Sequence, residues 1–171
     1  MSDPKLLEGK KILVVDDEPD ILETLQDLLD MCTVVTAATF DQARQLLESQ
    51  PFDIAILDIM GVDGYGLLKI ANEKSIPAVM LTAHAFTADN LVKTVKEGAY
   101  SYIPKEELST ITAYLVAALT ARQKGENPWD TWQDRLPSSY FEKRWGAAWK
   151  AVDKDFRKQF RENIKARRLK K

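Results

Sequence analysis

Apolar residues in the first two thirds of the chain follow two alternating rhythms. Five short runs are apolar almost without interruption: Ile12-Leu-Val-Val15, Val34-Val-Thr-Ala37, Ile54-Ala-Ile-Leu57, Ala78-Val-Met-Leu81 and Tyr100-Ser-Tyr-Ile103. Strands covered on both faces of a parallel sheet read this way, because neither face meets water. Between and after them, apolar positions recur every three or four residues, as one face of a helix requires. These sets are Ile21, Leu22, Leu25, Leu28 and Leu29; Phe40, Ala43, Leu46 and Leu47; Leu67, Leu68 and Ala71; Leu91, Val92 and Val95; and Leu108, Ile111, Leu115 and Leu119. The spacing predicts a strand–helix unit repeated five times. Parallel neighbours need long crossover connections, so the alternation predicts an α/β fold with an open, doubly wound parallel sheet and helices on both faces.

A different rhythm follows. Ser139 and Glu142 stand at capping-box spacing, and Phe141, Trp145, Trp149, Val152, Phe156, Phe160 and Ile164 then form one aromatic-rich stripe. This predicts a C-terminal helical extension over 138–171, joined by a linker at 122–137 that contains the turn-forming Gly125-Glu-Asn-Pro128. Charge divides the chain at the same place. Residues 1–120 carry 9 Lys and Arg against 19 Asp and Glu, whereas residues 121–171 carry 15 against 7, and all four tryptophans lie in the basic part. Packing of the stripe on the chain's own acidic part, or pairing with the tail of a second chain, is the expected use of this tail. Nucleic-acid contact through Lys165, Arg167, Arg168, Lys170 and Lys171 is a second reading, and a membrane-surface helix a third.

Overall, 45% hydrophobic and 29% charged residues describe an ordinary water-soluble globular protein. The single Cys32 excludes an internal disulfide and a multi-cysteine zinc site. No stretch approaches the roughly 18 apolar residues of a membrane span, and the opening residues lack the apolar centre of a signal peptide, so cytoplasmic residence is expected.

In an open α/β sheet, ligands bind beyond the carboxyl ends of the strands, which makes the residues there the ones to read. The first run ends in Asp16-Asp17-Glu18, the third in Asp58 and the fourth in Thr82, and the fifth is followed by Lys105. Any one acid there could simply cap the next helix, as Asp17 would for 18–30. Together, clustered carboxylates call for a cation, and a few hard oxygen ligands beside phosphate suit Mg2+ (or Mn2+). A carboxylate screened in this way can act as nucleophile toward a phosphoryl group, with an ammonium and a hydroxyl to hold the phosphoryl oxygens.

Ile12-Leu-Val-Val-Asp-Asp-Glu-Pro19, Ile56-Leu-Asp-Ile59, Leu81-Thr-Ala83 and Gly98-Ala-Tyr-Ser-Tyr-Ile-Pro-Lys105 resemble the receiver domain of bacterial response regulators, the CheY-like family. The resemblance covers residues 9–121 and implies a flavodoxin-like (βα)5 sheet of strand order 2-1-3-4-5. It implies Asp58 as phosphoacceptor, Asp17 as direct magnesium ligand, Asp16 as a ligand through water and the Met60 backbone carbonyl as a further ligand. Thr82 is similar to the switch hydroxyl, Lys105 to the lysine that contacts the phosphoryl group, and Tyr102 to the aromatic that turns inward with the switch. Two departures stand out: Asp58-Ile-Met-Gly-Val-Asp-Gly64 is about two residues shorter than the usual loop and lacks its proline, and Pro104 precedes rather than follows Lys105. His84, two after Thr82, is read either as a group orienting an attacking water or as loop surface.

The resemblance implies a two-component signalling phosphoacceptor rather than an enzyme of steady turnover. Its partner would be a sensor histidine kinase or phosphotransfer protein. A homodimer would form through 138–171 or through the face made by the fourth and fifth helices and strands. Two alternatives belong to other classes: a pseudo-receiver with a nucleic-acid-binding tail, and a magnesium-dependent aspartyl-type phosphatase.

Overall fold

The computed structural model of the protein describes residues 4–83 and 87–129. The predicted tail at 138–171, the linker from 130 onward and His84 lie outside the described residues. Five strands form one parallel sheet: β1 Lys11–Val15, β2 Thr33–Ala37, β3 Ile54–Asp58, β4 Ala78–Thr82 and β5 Ser101–Pro104, in the order β2-β1-β3-β4-β5. Each matches an apolar run, extended or shifted by a single residue. Five helices connect and follow them: α1 Pro19–Leu28, α2 Phe40–Ser49, α3 Gly64–Glu73, α4 Ala88–Lys96 and α5 Ile111–Lys124. The order reverses at β1, because the chain steps outward to β2 and then crosses back to β3. Right-handed crossovers therefore place α1 on one face and α2, α3 and α4 on the other.

Burial explains why the runs are continuously apolar. Every residue of β3, β4 and β5 is buried, while the edge strand β2 has only Ala37 fully covered. The helices begin where local chemistry satisfies their first N–H groups. The Thr39 side chain accepts from Gln42 N–H, Thr87 from Asn90 N–H and Asp63 from Gly66 N–H. At α1 the expectation of an Asp17 cap does not hold: Glu18 occupies the cap position without a side-chain cap bond, and Pro19 starts the helix. Pro serves well there, since its missing N–H would have had no helical partner. The segment Lys105–Thr110 forms a 3-10 helix ahead of α5 rather than the first turn of a longer α-helix. The Thr110 hydroxyl donates to the Glu107 carbonyl at 2.9 Å, a local bond that competes with α-helical pairing.

The core reaches past residues 9–121 at both ends. Leu7, on a 3-10 turn at Pro4–Leu7 that packs against α5, is 1% exposed. Beyond α5, Gly125 (φ 67°) ends the helix in the left-handed conformation, and Trp129 is fully buried. The Trp129 indole N–H donates to the Ala99 carbonyl at 3.1 Å, and its backbone N–H donates to the Asn127 side chain at 2.9 Å. Ala99 lies just ahead of β5, so Trp129 is seated at the amino-terminal edge of the sheet. Among the described residues, no helix is long and apolar enough to cross a membrane.

This seating predicts a stability effect well outside the strand–helix repeat. Trp129→Ala is expected to cost about 3–5 kcal/mol in urea unfolding followed by circular dichroism, as for other buried tryptophans. Trp129→Phe, which keeps most of the ring volume and loses the bond to Ala99, is expected to cost about 1 kcal/mol.

Candidate functional site

Strand register brings the strand-end residues to one level. Val15 lies opposite Leu57 and Asp58 opposite Leu81, while Thr82 lies opposite Pro104. Asp16, Asp58, Thr82 and Lys105 therefore sit within two residues of each other in height, at the carboxyl edge where the strand order reverses. Asp16, Asp58 and Thr82 are buried, and Asp17 and Glu18 are exposed.

Lys105 is the hub. Its Nζ lies 2.9 Å from Asp16 Oδ2, 3.0 Å from Glu18 Oε1 and 3.5 Å from Asp58 Oδ1. The hydrogen bond it donates goes to Glu18. The contact with Asp16 Oδ2 is an ion pair off the hydrogen-bond direction, and that buried oxygen has no other partner. Asp16 Oδ1 accepts the Glu18 backbone N–H at 2.9 Å, which fixes the turn from β1 into α1.

Two acids beside one ammonium leave the pocket short of positive charge. Burial, then the neighbouring Asp16, push the Asp58 carboxyl up to about 7, with Asp17 adding to the effect and Lys105 opposing it. Burial likewise raises Asp16 despite the pull of Lys105 and of the Glu18 N–H. Burial alone would lower Lys105, but Asp16 and Glu18 beside it outweigh that and raise it.

The loop after Asp58 closes over these acids through two glycines. A Cβ on Gly64 would strike the Asp58 backbone carbonyl, and one on Gly61, at φ 86°, would come within 2.6 Å of the Asp17 carboxylate. Asp63, itself left-handed at φ 51°, then caps α3, so the shortened loop is complete with Met60 on its exposed crest. The expected residue Tyr102 is buried, and its hydroxyl accepts the Thr87 N–H at 3.3 Å, at the entry to α4. A second tyrosine, which the sequence reading passed over, also reaches α4. The Tyr65 hydroxyl, in the first turn of α3, donates to the Asn90 carbonyl at 3.2 Å and lies 3.1 Å from the Thr94 hydroxyl. The Lys93 ammonium lies 4.3 Å from the centre of the Tyr65 ring.

The donor set suits a hard divalent cation. The carboxylate oxygens of Asp16, Asp17 and Glu18 lie within 4.8 Å of one another. Asp16 Oδ2 is buried with only an ion pair, and the raised Asp58 faces the same pocket. Glu18 was not among the expected metal ligands. It was visible in the sequence only as the third acid after β1, and its proximity to Lys105, 87 residues away, depends on the fold.

A doubly wound sheet of order 2-1-3-4-5 with its polar pocket at the carboxyl edge defines the flavodoxin-like class. Within that class, the sequence model of the response regulator receiver domain matches residues 12–115. The chain is 32% identical over 123 residues to the response regulator protein PilR of Pseudomonas aeruginosa, covering 68% of this chain and 27% of that one. It is 38% identical over 120 residues to the probable transcriptional regulator ycf27 of Guillardia theta, covering 64% and 47%. A CheY-like receiver domain protein from Methanospirillum hungatei JF-1 superposes with a TM-score of 0.58 at 26% identity, over 67% of this chain and 99% of that one. The chain belongs to the response regulator receiver family. It spans about a quarter of PilR and about half of ycf27. Domains of this family are signalling phosphoacceptors that act with histidine kinases or phosphotransfer proteins.

The raised Asp58 carboxyl carries a sign that can be checked. With its folded pKa near 7 against an ordinary 3.8, Asp58 disfavours the fold progressively as pH rises from about 4 through 7. Each pKa unit corresponds to about 1.4 kcal/mol. In a metal-free buffer, Asp58→Asn is expected to raise the melting temperature at pH 8 by several degrees, at about 2–4 °C per kcal/mol, with the gain shrinking toward pH 4. Calorimetry across that pH range checks it, and a variant less stable at pH 8 would contradict the assignment.

Proposed function

We propose that this domain accepts a phosphoryl group on Asp58 from a phosphohistidine of a sensor histidine kinase or phosphotransfer protein. The observation that carries the reading is the convergence of Asp16, Asp58 and Lys105, from three separate strand ends, on one buried pocket. In the transfer, an Asp58 carboxylate oxygen forms a bond to phosphorus and the phosphorus–nitrogen bond to imidazole breaks. The imidazole nitrogen keeps the electron pair and takes up a proton. Mg2+ or Mn2+, held by Asp16, Asp17, Asp58 and the Met60 backbone carbonyl, would supply the positive charge that keeps Asp58 ionised and offsets charge on the phosphoryl oxygens.

The chain's own groups do the rest. Lys105 supplies an ammonium to a phosphoryl oxygen, and Thr82, on the neighbouring strand end, supplies a hydroxyl. A shift of Thr82 toward the phosphoryl group alters the packing next to Tyr102, whose hydroxyl is tied to the first turn of α4. The added charge thereby biases the face formed by α4, β5 and α5. The basic segment 138–171 is then the recipient of the change, as a dimerisation or protein-partner element rather than a DNA reader.

Incubation with acetyl phosphate followed by intact-mass analysis tests this. Wild type with Mg2+ is expected to gain about 80 Da, the mass of one HPO3 group, and to lose the gain with a chelator or in Asp58→Asn. Light scattering on the same samples reads the tail: an accompanying doubling of mass assigns it to dimerisation. Absence of the adduct in folded wild-type protein would leave a pseudo-receiver, whose tail would bind nucleic acid in a salt-sensitive way that ignores Asp58.

A further inference from the structure

Lys105 faces three carboxylates and is closest to the two that receive no phosphoryl group. Its donated hydrogen bond goes to Glu18 Oε1 at 3.0 Å, whereas Asp58 Oδ1 is 3.5 Å away. We propose that Glu18 is a positioning residue that parks the Lys105 ammonium in the unphosphorylated state and releases it when a phosphoryl group occupies Asp58. The inference rests on the reading of Asp58 as phosphoacceptor.

Three observations make Glu18 suited to the task. First, its place is fixed: the Glu18 N–H is held by Asp16 Oδ1 at 2.9 Å, and Pro19 behind it restricts the backbone. Second, its side chain is not tied to the helix, since Glu18 caps α1 by position without a side-chain cap bond. Third, that side chain is 58% exposed while the Asp16 side chain is fully buried, so the two contacts holding Lys105 differ in kind. An ion pair open to water is weakly held and readily exchanged, whereas a buried one is not. When phosphoryl oxygens enter the pocket, the contact with Glu18 is the one that yields, and Lys105 pivots from it while still paired with Asp16. Glu18 thus biases the equilibrium toward the resting arrangement without touching the phosphoryl group.

The test uses beryllofluoride, a phosphoryl mimic, titrated at saturating Mg2+ into the full chain and followed by two-dimensional NMR. Glu18→Ala is expected to lower the half-saturating concentration about three- to tenfold, because the lysine no longer has to be taken from a competitor. In a Lys105→Met background the same substitution is expected to change nothing. Unchanged or weaker binding in Glu18→Ala would overturn the proposal. So would an equal gain with and without Lys105, which would assign the effect to lost negative charge alone. If wild type takes up no beryllofluoride, the phosphoacceptor reading fails, and a ligand-free crystal structure of Glu18→Ala decides the positioning role separately. Lys105 Nζ is expected to move to within about 3.0 Å of Asp58 Oδ1. An ammonium left 3.5 Å or more from that oxygen, as in the wild type, would refute the parking role.

Discussion

The constraint on which the rest of the molecule depends is a charge imbalance at one end of the sheet. Asp16 and Asp58 are buried there, and among the described residues the Lys105 ammonium is the cation that meets them. Taking carboxylates out of water is costly unless they are paired, and one ammonium cannot fully serve two buried acids with a third at its side. Burial and proximity therefore hold Asp58 far above an ordinary carboxylate. A fold keeps such a group only if the surroundings are rigid enough to prevent escape to solvent. Continuously apolar strands give that rigidity, with β3 and β4 buried along their whole length directly behind the acids. The glycines at 61 and 64 let the following loop close down where any other side chain would collide with Asp17 or with the Asp58 backbone.

The same pocket is joined to α4 by two routes. One passes through β5, where buried Tyr102 meets the Thr87 N–H at the start of the helix. The other passes through α3, which begins just past the loop, where Tyr65 meets Asn90 and Thr94 one to two turns further along. Each is a polar contact at the tip of a partly or fully buried aromatic ring. Such contacts have a defined geometry and break over small displacements, unlike apolar packing, which adjusts gradually. The first turns of α4 are thus fastened to both β5 and α3.

Much of this was legible in the chain because the signals are local. Ile54–Leu57 and Ala78–Leu81 are apolar because both faces are covered, and the polar residues that break such runs must lie at the sheet edge. The order of the runs alone thus places Asp16, Asp58, Thr82 and Lys105 together. What escaped depends on pairs distant in sequence. Glu18 looked like one more acid near a helix start, and its partner Lys105 lies 87 residues away. Tyr65 and Thr94, 29 residues apart, showed no joint pattern. The seat of Trp129 is hidden for a different reason: charge and tryptophan content change abruptly near residue 121, yet burial follows shape rather than composition. The few residues after Gly125 turn back to cover the start of β5, so the core ends later than the acidic composition does.

That late ending gives the domain two poles. Trp129 is fastened beside Ala99, at the amino-terminal edge of the sheet, while the acids lie at the carboxyl edge, about 13–16 Å away along a strand of four or five residues. The last of the described residues therefore lie at the pole remote from the carboxylates. Contacts made over Asp58 and contacts made on the Trp129 side meet the domain from opposite ends. The two ends of the sheet are thus closed in opposite ways, one by buried charge and the other by a buried aromatic ring.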